Sequence, residues 1–203
     1  MKKQRTTKWI VTVAMIATLG AILTIAAFPL PFLLPGFYKL DFSEVPVLIG
    51  AFALGPVAGI AIEAIKSVLN YLVNGTISAG VGEVAMFLIG VSYVLPASLI
   101  YHHHKTKKSA LVGLLVGSAS MVIVAALLNA FLLLPAYSLA LNIPIDTIVG
   151  MGTAINPAID SLAMFILLAV VPFNVIKVVS VSILVLLIYK RVSGVIKSKD
   201  AEE

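Results

Sequence analysis

Long apolar stretches separated by short polar segments dominate the pattern along the chain. The stretches are continuous, without the alternating apolar and polar positions of barrel strands, so they predict helices. Most of them reach or exceed the ~20 residues that a helix needs to cross the hydrocarbon core of a bilayer. They lie near residues 9–28, 45–73, 81–101, 110–134 and 158–190. The pattern therefore predicts an all-α integral membrane protein.

The composition agrees with a membrane protein and excludes several kinds of site. Of the 203 residues, 61% are hydrophobic and 11% are charged, whereas about a quarter of a soluble domain is charged. The mean hydropathy is +1.12. The chain has no cysteine, which excludes disulfides, thiolate metal sites and a cysteine nucleophile. The first apolar run follows a basic start but is longer than a signal-peptide core, so we expect a retained first helix.

The basic residues predict which segments are cytoplasmic. Eleven of the 14 Lys and Arg residues fall in three short flanks of apolar runs, and such flanks stay in the cytoplasm. The flanks are the N-terminus (Lys2, Lys3, Arg5, Lys8), the loop 102–108 (Lys105, Lys107, Lys108) and the tail (Lys190, Arg191, Lys197, Lys199).

These three constraints determine the number of crossings. The segment 45–73 must cross twice to bring the loop 102–108 to the cytoplasm, and Gly55-Pro56 is a strong turn signal at which to divide it. Only one net crossing remains after 134, so the short run 158–171 is predicted to be a re-entrant or outward-lying helix before the last span. The prediction is six transmembrane helices with both termini cytoplasmic, in one transmembrane domain. The predicted spans are 9–28, 46–54, 56–73, 81–101, 110–134 and 173–190, within the domain 1–203.

Polar residues stand near the outer ends of several predicted helices. Asn129 interrupts the fifth apolar run, and Glu83 begins the fourth crossing. Asn174 and Lys177 begin the last one, three residues apart and so on one helix face. A lysine that snorkels to the headgroups beside a capping asparagine also explains this pair. Taken together, the polar residues predict an outward pocket for a polar aromatic small molecule.

The loop 29–46 precedes the second helix and is rich in proline and aromatic residues. Such a loop is rigid, and it is either a lid over the pocket or an interfacial anchor. Glu63 and Lys66 form an i,i+3 pair within the third crossing, which we interpret mainly as a structural ion pair.

No catalytic or metal-binding motif is found in the sequence. There is no P-loop, G-x-S-x-G or H-E-x-x-H pattern. The histidines 102–104 are consecutive, so their rings diverge around a helix. An intramembrane enzyme could use Asp146 or Asp160 with Lys177, but no matched nucleophile and base accompany them. We therefore expect neither an enzyme nor a metal site.

Three segments in this order carry a family resemblance: KLDFSEVPVLIGAFALGPVAG (39–59), LNAFLLLPAY (128–137) and VPFNVIK (171–177). Through them the chain resembles the substrate-binding S-components of energy-coupling factor (ECF) vitamin transporters, most closely the riboflavin-specific members. The resemblance covers nearly the whole chain. An S-component for another vitamin, such as thiamine or biotin, is the alternative within the family.

The resemblance implies a multi-pass protein of the bacterial cell membrane that binds riboflavin as its transported substrate. FMN or FAD are possible substrates as well, and no cofactor is expected. The implied partners are a transmembrane coupling subunit (EcfT type), two ATPase subunits (EcfA type) and the lipid bilayer, with no nucleic acid. The missing P-loop agrees with separate ATPases.

The resemblance also implies individual site residues. The family's flavin contacts fall on Leu40, Asn129, Asn174 and Lys177, whose amides and ammonium suit the donors and acceptors of an isoalloxazine edge. Further candidates are Tyr38 and Phe42 for the flat ring, and Asp41, Glu44 and Glu83 for the ribityl hydroxyls. Ala17, Gly20 and Ala21 carry the small-residue pattern that contacts the coupling subunit in the family; ordinary packing inside the bundle is the alternative.

Overall fold

The computed structural model describes the backbone of residues 2–33, 35, 38–76 and 80–200. The side chains of residues 2–6, 141 and 189–200 lie outside this description. The basic residues Lys2, Lys3, Arg5, Lys190, Arg191, Lys197 and Lys199 of the charge pattern are among them.

The described chain is almost entirely helical, with one small two-stranded sheet. In chain order the elements are α1 (Lys2–Ile25), β1 (Phe28–Pro29), β2 (Lys39–Leu40), α2 (Glu44–Leu54), α3 (Pro56–Asn74), α4 (Val81–His104), α5 (Lys107–Leu128), the π turn π1 (Asn129–Leu133), α6 (Leu134–Leu141), α7 (Ile145–Thr153), α8 (Leu162–Phe165), the π turn π2 (Ile166–Val170) and α9 (Val171–Asp200).

Five helical stretches of the described chain are long and apolar enough to cross a membrane: Thr7–Ile25, Pro56–Asn74, Val81–His104, Lys107–Ala140 and Leu162–Ile188. A sixth apolar helix, α2, has 11 residues and would be only ~16 Å long at 1.5 Å per residue. It contacts α1, α3, α4 and α9 and is buried along most of its length, which makes it the central helix of the bundle.

The break between α2 and α3 falls at the predicted Gly55-Pro56. Gly55 has φ 102°, a conformation that favours glycine, and Pro56 begins α3. The predicted division of the segment 45–73 into two helices is confirmed.

Two other predicted boundaries are wrong. The fifth helix continues beyond residue 134 to Ala140, because Pro135 is accommodated inside the helix two residues after π1. The run 158–171 is not a separate re-entrant or outer helix, since α8 begins at Leu162 and continues through π2 into α9. A separate short helix does occur earlier in this half of the chain, between α6 and α8: it is α7, Ile145–Thr153.

The loop between α1 and α2 is held by the small sheet, in which Phe28 pairs with Leu40 in an antiparallel register. Leu40 packs into a hydrophobic cluster formed mainly by residues of the α7–α9 half of the chain, and Phe42 packs against both this cluster and the larger cluster around α2. The first loop is therefore anchored over the bundle between two cores.

Close packing of α4 against α5 depends on two glycines four residues apart. A Cβ added at Gly113 would lie 2.5 Å from the carbonyl oxygen of Ala97, and one at Gly117 would lie 2.5 Å from the carbonyl oxygen of Tyr93. Small residues at this spacing allow membrane helices to approach backbone to backbone.

Candidate functional site

A cavity of about 170 Å³ lies where the first loop meets α4, α5 and α9. A larger cleft of about 480 Å³ adjoins it and shares four lining residues, Lys39, Gly82, Met86 and Tyr137. We call these spaces the inner cavity and the outer cleft. The inner cavity is lined by Tyr38, Lys39, Glu44, Gly82, Met86, Ile89, Met121, Asn129, Leu133, Tyr137, Phe173, Asn174 and Lys177.

Most of the candidate residues from the sequence lie around these two spaces. Tyr38, Glu44, Asn129, Asn174 and Lys177 line the inner cavity. Asp41 and Glu83 line the outer cleft, together with Asn70 and Asn74.

Leu40 and Phe42 do not line either space. The Leu40 side chain is buried in the hydrophobic cluster of the α7–α9 half, and Phe42 bridges the two clusters with its ring centroid 6.3 Å from that of Phe28. Both side chains anchor the first loop instead of covering the cavity.

Two π turns place the asparagines at the cavity. Asn129 is the first residue of π1, and Asn174 lies one turn after π2. The Nδ2 of each donates to a carbonyl one turn earlier, that of Ala125 for Asn129 and that of Val170 for Asn174, both at 2.8 Å. Each amide keeps one N–H donor beyond this bond. Single π turns of this kind are frequent at functional sites.

Tyr38 connects the first loop to Asn129 across the inner cavity. Its hydroxyl donates to Asn129 Oδ1 at 2.5 Å, and its ring packs edge-on against Phe173 at a centroid distance of 5.9 Å. Burial, followed by the nearby Tyr137, raises the pKa of Tyr38, so the phenol stays protonated and remains a donor.

A second polar contact joins the first loop to α9. Lys177 Nζ donates to Asp41 Oδ2 at 2.7 Å, and Asp41 Oδ1 accepts from the backbone N–H of Ser43 at 2.9 Å and from the Ser43 hydroxyl. Burial alone would raise the pKa of Asp41, but Lys177 and Lys66 outweigh it and lower the pKa to about 2. The carboxylate is therefore ionised at every physiological pH, and Lys177 does not snorkel freely to the headgroups.

The sequence reasoning missed the apolar walls of the inner cavity: Met86, Ile89, Met121, Leu133, Phe173 and the ring of Tyr137. Two of them could have been predicted from the sequence, because Phe173 is adjacent to Asn174 in VPFNVIK and Tyr137 is the last residue of LNAFLLLPAY. Aromatic and methionine side chains suit a flat ring, and the amides and ammonium at one end suit polar ring atoms.

Ala17, Gly20 and Ala21 are not on the surface of the chain. Ala17 is fully buried and Ala21 is 5% exposed. A Cβ at Gly20 would lie 3.2 Å from Cδ of Lys66 on α3. The expectation that these three residues meet a coupling subunit is corrected: they let α1 pack closely inside the bundle, the alternative considered above.

Neither aspartate considered for an enzyme forms the ion pair of Lys177. Asp146 and Asp160 are exposed, and the carboxylate bound to Lys177 is that of Asp41. Within the described residues, no group of three His, Cys, Asp or Glu side chains is arranged to hold a metal ion.

The family model described as "ECF transporter, substrate-specific component" matches residues 8–189. The chain belongs to this family. As an S-component, it is a multi-pass bacterial membrane protein that serves transport and is not an enzyme.

Individual relatives agree with this assignment. The S-component is 36% identical to the riboflavin transporter RibU of Staphylococcus aureus, over 94% of this chain and 93% of that protein. It is 36% identical to the riboflavin transporter FmnP of Bacillus subtilis, over 90% of each chain. It also matches a solved structure of the S component of a bacterial ECF transporter with a TM-score of 0.73 and 36% identity, over 95% of this chain and 99% of that one.

Proposed function

We propose that this S-component captures riboflavin in the inner cavity and outer cleft for uptake by an ECF transporter. The observation that carries the proposal is the convergence of Asn129, Asn174 and Lys177 on one cavity whose other lining residues are mostly apolar or aromatic. Relatives that cover most of the chain are riboflavin transporters.

The two spaces suit the two halves of a flavin. The isoalloxazine edge presents carbonyl acceptors and an imide N–H, which the amides and the ammonium complement. The inner cavity alone is smaller than the ~300–1,000 Å³ of typical ligand pockets. The ring therefore occupies it with some movement of the first loop, and the ribityl chain extends into the outer cleft towards Asp41 and Glu83.

The test is the identity and stoichiometry of the bound molecule. Small molecules released from the purified protein are identified by mass spectrometry, and riboflavin is titrated by quenching of its fluorescence. We expect a flavin to be released and one riboflavin to saturate each chain, with thiamine and biotin unable to displace it. FMN and FAD as competitors report whether phosphorylated flavins are accepted. No quenching, or displacement by another vitamin, would refute the proposal.

For the membrane arrangement, we propose six crossings with both termini in the cytoplasm, α2 being the short one. A single cysteine at Lys107, the exposed first residue of α5, is expected to react only with reagents on the cytoplasmic side. One at Asp146, exposed at the start of α7, is expected to react only from outside. Labelling of both positions from the same side contradicts the six-crossing arrangement.

For the partners, we propose a transmembrane coupling subunit and two ATPase subunits that dock on the exposed face of α1. Since Ala17 is buried, the outward face consists of Ala14, Met15, Thr18, Leu19 and Ile22. Ala14 and Thr18 repeat the small-residue spacing, and the Thr18 hydroxyl is bonded to the Ala14 carbonyl at 2.9 Å, which keeps this face apolar.

A large side chain on the outward face of α1 is expected to block docking of the coupling subunit but not substrate binding. Ala14→Trp or Thr18→Trp should reduce riboflavin uptake severalfold in vesicles that contain all subunits, with the dissociation constant of the isolated S-component unchanged. Leu115→Trp, at an exposed position on α5, is the matched control with normal uptake. Normal uptake in the α1 variants places the docking face elsewhere.

A further inference from the structure

A buried cluster of three charged residues lies beside the site, and of its members Glu44 lines the inner cavity while Glu63 and Lys66 line neither space. Lys66 on α3 is fully buried, as is Glu63 one turn before it. The Lys66 ammonium contacts Glu44 Oε1 at 2.7 Å and Glu63 Oε1 at 2.9 Å. The structural pair predicted from the sequence is thus a triad that joins α2 to α3. Such a cluster inside a membrane is costly unless every charge is answered.

Neighbouring helices are shaped around this cluster. Gly20 on α1 leaves space for the Lys66 stem, and Gly90 on α4 leaves space for the Glu63 carboxyl, from which a Cβ would be only 2.5 Å away. These two glycines let α1 pack against the Lys66 stem and α4 pack against the Glu63 carboxyl, which confines the ion pair.

One hydrogen-bonded chain connects the Lys66 ammonium to the binding site. Lys66 uses its third donor on Ser43 Oγ, at 3.3 Å. The Ser43 hydroxyl in turn donates to Asp41 Oδ1, and the other oxygen of Asp41 accepts from Lys177. Side chains of α3, the first loop and α9 are coupled in this order: Lys66, Ser43, Asp41, Lys177.

The Ser43 hydroxyl is not used to cap α2. Ser43 occupies the N-cap position of α2, but its side chain makes no capping hydrogen bond. It is 1% exposed and lines neither the inner cavity nor the outer cleft. A serine at this position would ordinarily cap the helix, whereas here it holds the carboxylate of Asp41.

We propose that Ser43 and Lys66 are positioning residues of the substrate site: they fix the Asp41 carboxylate, which directs the ammonium of Lys177 towards the ligand. The inference rests on the proposed binding of riboflavin by Lys177. A lysine is a flexible stem with three donors. Asp41 takes one donor and leaves two for the ligand, and a fixed partner lowers the ordering cost of binding.

Whether Asp41→Asn weakens or tightens riboflavin binding tells a positioning role of Asp41 from competition with the ligand. If Asp41 only competed with the ligand for Lys177, Asp41→Asn would tighten riboflavin binding. A positioning carboxylate predicts the opposite, a severalfold to tenfold weaker affinity.

The decisive variant is Ser43→Ala in the full-length chain, titrated with riboflavin by fluorescence quenching. It removes the link between Lys66 and Asp41 without removing a charge or a helix cap. We expect severalfold weaker binding in a chain that still folds, with a modestly lower thermal unfolding midpoint because the buried Lys66 ammonium loses one hydrogen-bond partner. The matched control is Ser98→Ala, another buried serine, whose hydroxyl bonds only the Leu95 carbonyl of its own helix; it should bind as the wild type does.

Combined variants test whether Ser43 affects riboflavin affinity through Asp41, a dependence that a purely structural role of Ser43 would not produce. In an Asp41→Asn background, Ser43→Ala should cause no further loss, because the residue acts through Asp41. The pair Lys66→Met with Glu63→Gln removes both α3 members of the triad together, and should weaken binding by at least as much as Ser43→Ala. If this pair does not fold, Ser43→Ala decides alone.

Failure of the inference differs from failure of the proposed function. Wild-type protein that does not bind riboflavin refutes the proposed function. Binding by the wild type with unchanged affinity in Ser43→Ala overturns the positioning role, as does tighter binding in Asp41→Asn. Losses that simply add, or a Ser43→Ala chain that does not fold, would assign Ser43 a structural role and overturn it as well.

Discussion

Replacing Lys177 by methionine is expected to weaken riboflavin binding by roughly tenfold to a hundredfold, while the chain still inserts and folds. A hydrogen bond to a charged group contributes ~1.5–3 kcal/mol, and each ~1.4 kcal/mol is a factor of ten in affinity. Asn174→Ala should weaken binding by about tenfold, because it removes the neutral amide on the same face of α9. Fluorescence titration of purified protein measures both.

Two controls isolate the loss of the ligand contact. Lys177→Met leaves the Asp41 carboxylate without its partner, so Asp41→Asn combined with Lys177→Met tests the contact without an unpaired charge and should bind equally weakly. Lys107→Met, at the exposed first residue of α5, should bind like the wild type. Wild-type affinity in both Lys177→Met and Asn174→Ala would refute the assignment of these residues to the site.

Replacing Gly117 by leucine is expected to prevent stable folding. The added Cβ would stand 2.5 Å from the Tyr93 carbonyl oxygen, a backbone atom that cannot turn away. Overpacking usually costs ~1–3 kcal/mol where side chains can yield. The same Cβ would lie 2.9 Å from Cδ2 of the Tyr93 ring. Displacement of Tyr93 would also disturb the contact of 2.7 Å between its hydroxyl and Ser182 Oγ on α9.

The measurement is the yield and thermal unfolding midpoint of detergent-solubilised protein by size-exclusion chromatography. Gly150→Leu is the matched control, since a Cβ at this exposed helical glycine of α7 would meet nothing within 4 Å; it should behave as the wild type does. A Gly117→Leu variant with normal yield and midpoint would show that α4 and α5 can separate without loss of the fold.

Features carried by local signals were predictable from the sequence. Continuous apolar runs predicted the helices, and Gly55-Pro56 correctly divided α2 from α3. The predicted convergence of Asn129, Asn174 and Lys177 followed from their depth in the helices and from the family resemblance, and all three line the inner cavity.

Features that depend on the face of a membrane helix were not predictable. Both the interior and the lipid are apolar, so periodicity does not tell which small residues of α1 point inward, and Ala17 was expected on the wrong side. The pair of Lys177 with Asp41 joins residues 136 positions apart, which no local spacing reveals.

The two π turns do have a local sequence signal, a proline shortly after each of them. Each is followed, two residues after its end, by a proline inside a continuing helix, Pro135 after π1 and Pro172 after π2. A proline lacks the N–H that an α-helix requires and clashes with the preceding turn. An irregular turn is therefore expected in LNAFLLLPAY, which contains Asn129, and in the run just before VPFNVIK, which contains Asn174.

The buried triad of α3 also bears on how the chain enters the membrane during synthesis. With a mean hydropathy of 1.3, α3 is the least apolar of the five long apolar helices, the others ranging from 1.9 to 2.5. A charged residue at the centre of a helix costs ~2.5–3.5 kcal/mol on insertion. Glu44 leaves the ribosome before Lys66, and the turn at Gly55 folds α2 back towards α3. The two helices can then partition into lipid as one hairpin whose charges have already met, whereas α3 alone would leave the translocon only slowly.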